Sequence, residues 1–161
     1  KFGLKVQEEK SQIIAFGRYA WYKAQREGIK PNTFNFLGFT HYCCSTRKGK
    51  FRLGRKTAKS KFRQKMKELN IWLKKIRNLV KLEQWWKVLV VKLLGHYRYY
   101  GISGNYREIK KFYTLVTKLA YKWINRRSQK KSYNWAQYGR FLRYNPLPKP
   151  KIYHLTYALS S

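Results

Sequence analysis

The spacing of apolar side chains along the chain changes near residue 57. Before it they come in short runs between turn-forming residues, and after it they recur at steps of three and four. Phe62, Met66, Leu69, Leu73, Ile76 and Val80 step 4-3-4-3-4, which puts all six on one face of a helix, with Thr57 as the expected N-cap. A second stripe, Leu82, Trp86, Leu89, Leu93 and Tyr97, stops at Gly101, a residue type suited to a helix end. Ser103-Gly104-Asn105 then offers an N-cap for a third stripe, Ile109, Phe112, Val116, Leu119 and Trp123. Ser132 is the expected cap of a shorter fourth helix through Trp135, Tyr138, Phe141 and Leu142, which Pro146, Pro148 and Pro150 end. Alternate prolines favour an extended segment, so residues 151–157 are expected to run along the helices. Helices with one apolar stripe each must pack together, and the predicted fold is mainly α, with a bundle of three to four helices.

Residues 1–54 read as strands and turns at the edge of a sheet. A short apolar run covers residues 12–16, and Pro31-Asn32-Thr33 interrupts the chain before Phe34, Phe36, Leu37 and Phe39, whose aromatic content favours one extended strand. Arg47-Lys48-Gly49-Lys50 reads as a turn, and Phe51-Arg52-Leu53 as the strand returning from it in a hairpin. The stretch 17–30, with Tyr19, Trp21 and Tyr22, is expected to be helical at its start. The resulting division is 1–54 β, 55–145 helical and 146–161 extended.

Charge narrows the function. The chain has no aspartate and only 6 Glu against 38 Lys and Arg, a formal net charge of +32. Such an excess calls for a polyanionic partner, and nucleic acid is the expected one. Two-metal polymerases and nucleases need clustered carboxylates around ions about 4 Å apart. The only adjacent acids here are Glu8 and Glu9, which point apart on a strand or a helix. The 6 Trp, 14 Tyr and 9 Phe are order-promoting and separate the chain from disordered basic tails. Cys43 and Cys44 are neighbours, which suits neither an ordinary disulfide nor a zinc site, and they read as reduced intracellular thiols. The longest apolar stretch, 85–94, is interrupted by Lys87 and Lys92 and is shorter than the ~20 residues of a membrane span. His41, His96 and His154 stand alone in sequence. Alternation on a strand would put His41 beside Cys43, but no third group is at hand to orient a base.

Eleven basic residues and no acid lie between Arg47 and Lys67. A face that serves only solubility normally mixes signs, so this run reads as a phosphate-binding surface. Lys48, Lys50, Arg52, Arg55, Lys56, Lys59, Lys61 and Arg63 are its candidate contacts. A second cluster, Arg126, Arg127, Lys130 and Lys131, lies at the end of the third helix, where cations also suit the helix dipole, and both roles stay open. The clump His96-Tyr97-Arg98-Tyr99-Tyr100 holds more aromatics than one inward stripe can take. Arg98 and Tyr99 are therefore candidates for contact with bases or sugars.

Residues 1–18 (KFGLKVQEEKSQIIAFGR) followed by residues 34–39 (FNFLGF) resemble the last palm blocks of bacterial group II intron reverse transcriptases. Arg47-Lys48-Gly49-Lys50, Arg55-Lys56-Thr57, Gly95-His96-Tyr97, Tyr99-Tyr100-Gly101, Gly104-Asn105 and residues 125–135 (NRRSQKKSYNW) resemble the thumb, or maturase, region of the same proteins, in order. The resemblance implies a residual palm edge followed by a helical thumb. It makes Phe36, Leu37, Gly38 and Phe39 primer-grip-like, and intron RNA or an RNA/DNA template-primer duplex the partner. It also implies that Mg²⁺ and the catalytic aspartates belong to the complete RNA-directed DNA polymerase and that this chain needs no cofactor of its own. The chain begins at Lys1 without a methionine, and the palm and fingers of the same protein are expected upstream. The expected location is the cytoplasm of a bacterium or its organellar equivalent, with no membrane partner. A stand-alone structural RNA-binding protein, such as a ribosome-associated factor, is the rival reading.

Overall fold

In a computed structural model of the chain, residues 13–127 and 132–155 are described. They form α1 (Arg18–Arg26), β1 (Thr33–Phe36), β2 (Phe39–Ser45), β3 (Phe51–Thr57), α2 (Lys59–Ile76), α3 (Leu82–Tyr100), α4 (Tyr106–Ile124) and α5 (Trp135–Tyr144). The fold is thus mainly helical with one small antiparallel sheet, in the order β1-β2-β3. Two compact units divide it, Lys1–Gly54 and Arg55–Ser161.

In the first unit α1 packs on β2 and buries Trp21 and Ala24. Residues 13–16 form no strand: Ile13 is fully exposed, while Ala15 O accepts from Asn32 Nδ2 at 3.4 Å and the Phe16 ring meets Phe34 edge-on at 4.8 Å. The single strand expected over residues 34–39 is instead two strands folded back at Leu37-Gly38. Phe36 faces Phe39 across the turn, and both turn residues have positive φ, 47° and 78°. A two-residue turn of this hand matches the twist of the flanking strands, and Gly38 supplies one of its two left-handed positions without strain. The next turn lies where the sequence places it. Thr46 N–H donates to Lys50 O at 2.8 Å, Lys50 N–H donates to Thr46 Oγ1 at 3.2 Å, and Gly49 has φ 73°.

The second unit is built around α4, which packs on both α2 and α3. Its core includes Leu69 and Leu73 of α2, Trp85, Trp86, Leu89, Leu93, Tyr97 and Tyr100 of α3, Ile109, Phe112, Val116, Ala120, Trp123 and Ile124 of α4, and Tyr138 of α5. The buried face of α3 is wider than the predicted stripe because Trp85, His96 and Tyr100 turn inward too. Val80 lies beyond the end of α2, in the connection to α3.

Thr57 does not cap α2. It ends β3, Ala58 holds the N-cap position, and Thr57 bonds instead to Asn105. The buried Asn105 side chain accepts from Thr57 N–H at 2.9 Å and donates to Thr57 Oγ1 at 2.9 Å and Tyr100 O at 2.8 Å. Asn105 thus sits at the start of α4 yet caps no amide of its own helix, because its amide joins the start of α2 to the end of α3. At α5 the cap is Asn134 and not Ser132: Asn134 Oδ1 accepts from Gln137 N–H and Gln137 Oε1 from Asn134 N–H, both at 2.8 Å. Trp135, placed in the inward stripe by its spacing, is exposed because only Tyr138 of α5 is fully buried.

The extended tail is fastened to the end of α3. Gly101 O accepts from Tyr153 N–H at 2.7 Å and His154 N–H at 3.0 Å, and Ser103 N–H donates to His154 O at 3.0 Å. Gly101 has φ −78°, so its role is not a left-handed cap. A Cβ there would collide with the carbonyl oxygens of Tyr97 and Lys151, so only glycine permits this approach of the tail.

Candidate nucleic-acid interface

The apolar stripe of α2 turns Phe62, Met66, Leu69 and Leu73 inward, and Phe62 meets the ring of Phe112 edge-on at 5.7 Å. That orientation sorts the cations of α2 into two rows. Lys59, Arg63 and Lys67 follow one another at steps of four, about 6 Å apart along the axis, and Lys74 continues the row. All four are exposed. No carboxylate stands among them in sequence on that row. Lys61 and Lys65 lie on the other flank with Glu68, whose carboxylate pairs with Lys65 at 3.0 Å and accepts from Gln64 Nε2 at 2.9 Å. The Lys65 hydrogen bond, then that of Gln64, holds the Glu68 carboxyl below its ordinary value. The basic surface predicted as one block is therefore an uncompensated row and a partly neutralised one. Lys67 and Lys74 strengthen the first, and Lys61 belongs to the second.

Lys48 and Lys50 are exposed in the turn between β2 and β3, and Arg52 is half-buried on β3 of the first unit. Arg55 is half-buried, with an Nε that has no hydrogen-bond partner, and Lys56 is exposed, both at the second-unit end of β3. Phe36 and Leu37 are exposed at the hairpin tip, with Gly38 and Phe39 half-buried beside them.

On the last turn of α3, Arg98 and Tyr99 face solvent while His96, Tyr97 and Tyr100 are buried. His96 lies flat on Phe112, with ring centroids 3.7 Å apart, and burial lowers its pKa to about 4. Burial pushes the Tyr97 phenol well above its ordinary value. His96 is thus a neutral core ring, not an acid or base. His154 is structural too, with Nε2 2.8 Å from Arg98 O.

Arg126 and Arg127 have separate roles. Arg127 is half-buried and its guanidinium donates to Val80 O at 3.5 Å, a structural bond to the connection that follows α2. Arg126 stands over the Trp123 ring at 5.7 Å, beside Lys122 at 5.1 Å and Arg77 at 4.6 Å. The sequence reading missed Arg77, because 46 residues separate it from Trp123 and only packing brings them together. Lys130 and Lys131 lie outside the described residues.

No group of three or more His, Cys, Asp or Glu able to hold a metal occurs among the described residues. Glu27, Glu68 and Glu83 each pair with a lysine three or four residues earlier or later in the chain. Cys43 and Cys44 are half-buried free thiols, and Cys44 donates to Arg52 O at 3.3 Å. No helix among the described residues is long and apolar enough to cross a membrane. Comparison of the chain with family models, curated proteins and solved structures finds no match.

Proposed function

We propose that this chain binds structured RNA, or an RNA/DNA duplex, through the phosphate backbone. On this reading it acts as the thumb, or maturase, part of a group II intron reverse transcriptase and supports splicing and reverse transcription. The supporting observation is the row Lys59, Arg63, Lys67 and Lys74, exposed on a helix whose opposite face is locked in a core. The cations stand about 6 Å apart from Lys59 to Lys67 and about 10 Å from Lys67 to Lys74, wide enough for each to meet its own phosphate along a strand. Recognition follows charge and shape, because an A-form major groove is too narrow for side chains to read. On this reading the polymerase step and its Mg²⁺ belong to the complete protein and not to these residues.

The test is the salt dependence of RNA affinity. Roughly 6–10 phosphate contacts lower affinity about 10³–10⁵-fold between 50 and 200 mM salt. Replacing Lys59, Arg63 and Lys67 together by glutamine lowers the slope of log affinity against log salt by about 2–3. An unchanged slope removes the row from the interface.

A further inference from the structure

Trp135 is 58% exposed, whereas Trp21, Trp85, Trp86 and Trp123 are each 5% exposed or less and Trp72 is half-buried beneath Lys92. Tyr19, Phe36 and Tyr144 are at least as exposed, and what sets Trp135 apart among the tryptophans is that its exposed ring is also held in place. One face of Trp135 lies on Tyr121, with centroids 3.8 Å apart and planes 20° apart. The Tyr121 hydroxyl donates to Tyr133 O at 3.2 Å, and Tyr133 N–H donates to Asn125 Oδ1 at 2.7 Å. The reciprocal Asn134–Gln137 cap fixes the backbone on which Trp135 opens α5. The stack is therefore fixed from beneath, and beyond its contacts with Tyr121 and, edge-on at 6.1 Å, with Tyr138, the indole stays open to solvent over more than half its surface. Gly139, one turn further along α5, carries no side chain, and a Cβ there would meet nothing within 4 Å.

The surroundings say what suits this ring. From residue 109 to the end the chain has twelve Lys and Arg and no Asp or Glu, and Lys118 and Lys122, three residues before and one after Tyr121, are exposed on α4. An open π-face among unopposed cations suits a flat, weakly polar group carried on a polyanion. A nucleobase fits that description, and an apolar protein surface lacks the anion. A paired base inside a helix already has both faces covered, so the group must be unpaired.

We infer that the Trp135–Tyr121 stack is a docking platform for one unpaired nucleobase, set apart from the α2 row that takes duplex phosphates. The inference rests on the proposed RNA binding and adds a preference for RNA with a bulge or a single-stranded end. Three probes test it on the full chain: a fully paired hairpin RNA, the same hairpin with one bulged adenine, and a twelve-nucleotide oligoadenylate. The bulged hairpin is expected to bind about tenfold more tightly than the paired one, and oligoadenylate to quench part of the tryptophan fluorescence. Trp135→Ala removes the preference and the quenching, while affinity for the paired hairpin and its salt slope stay as they were. Trp135→Phe retains most of the preference, which a merely structural role would not explain. Equal weakening on all three RNAs, an unaltered preference in Trp135→Ala, or self-association of the chain that vanishes in Trp135→Ala without effect on RNA overturns the platform. Loss of paired-hairpin binding in the unmodified chain, with oligoadenylate still quenching Trp135, would instead overturn the duplex reading and keep the platform.

Discussion

The two compact units both display Lys and Arg, and they differ in what lies beneath. Among the described residues of the first unit, Trp21 and Ala24 are the buried apolar side chains, and β1 is mostly exposed. In the second unit Leu73, Trp85, Leu89, Tyr97, Ile109, Val116 and Ala120 are all 0% exposed. A close-packed interior resists deformation, so cations on α2 keep their spacing when a partner arrives. Those in the turn between β2 and β3 contribute charge on a thinner support. On the proposed reading, recognition of RNA shape belongs to the second unit.

The largest expected effect comes from its core. Trp85→Ala should cost about 3–5 kcal/mol in denaturant unfolding and reduce RNA binding with it. Trp21→Ala should leave hydrogen-exchange protection of α2, α3 and α4 intact. Equal loss of protection from both substitutions would erase the contrast between the units. Next is the polar tie inside the second unit. Asn105→Ala leaves Thr57 N–H unpaired in a buried setting, while Tyr100 O keeps its bond from Ile102 N–H, at a cost of about 3 kcal/mol. Urea midpoints would check this, and a loss below ~1 kcal/mol would show that the tie is incidental.

Acid sharpens the comparison further. With the His96 pKa lowered to about 4 in the folded chain, the unfolded chain binds the extra proton between about pH 6.5 and 4. Stability is then full above pH 6.5, falls by roughly 3 kcal/mol as pH drops to 4, and is flat for this group below that. His96→Phe should remove this slope, read from denaturation at stepped pH, and a retained slope would point to another group. The smallest effects on stability are expected from the α2 rows. Glutamine at Lys59, Arg63 and Lys67, or at Lys61 and Lys65, should shift stability by about 0.5 kcal/mol or less. Only the first set should move RNA affinity strongly.

How much of this was legible in the sequence varies by region. The stripes of α2, α3 and α4 were, since steps of three and four leave little freedom once helices must share a core. The Leu37-Gly38 fold-back was not, because Leu37 in the left-handed region runs against its own preference. Thr57 and Asn105 each read locally as caps, yet they bond to one another across 48 residues, which no local rule detects. For the candidate interface, the density of Lys and Arg was plain. Its division was not, although Glu68 stands three residues after Lys65, where an ion pair is expected on a helix. The exposure of Trp135 was misread because its spacing fits the stripe while α5 buries only Tyr138.

The most direct test is a salt titration of structured-RNA affinity for the unmodified chain, for the variant with Lys59, Arg63 and Lys67 replaced by glutamine, and for an unfolded peptide of equal charge. A row of cations held on a rigid helix predicts tighter binding than the peptide, and a slope about 2–3 lower in the variant. Indistinguishable affinities for chain and peptide, or one slope for chain and variant, would contradict it.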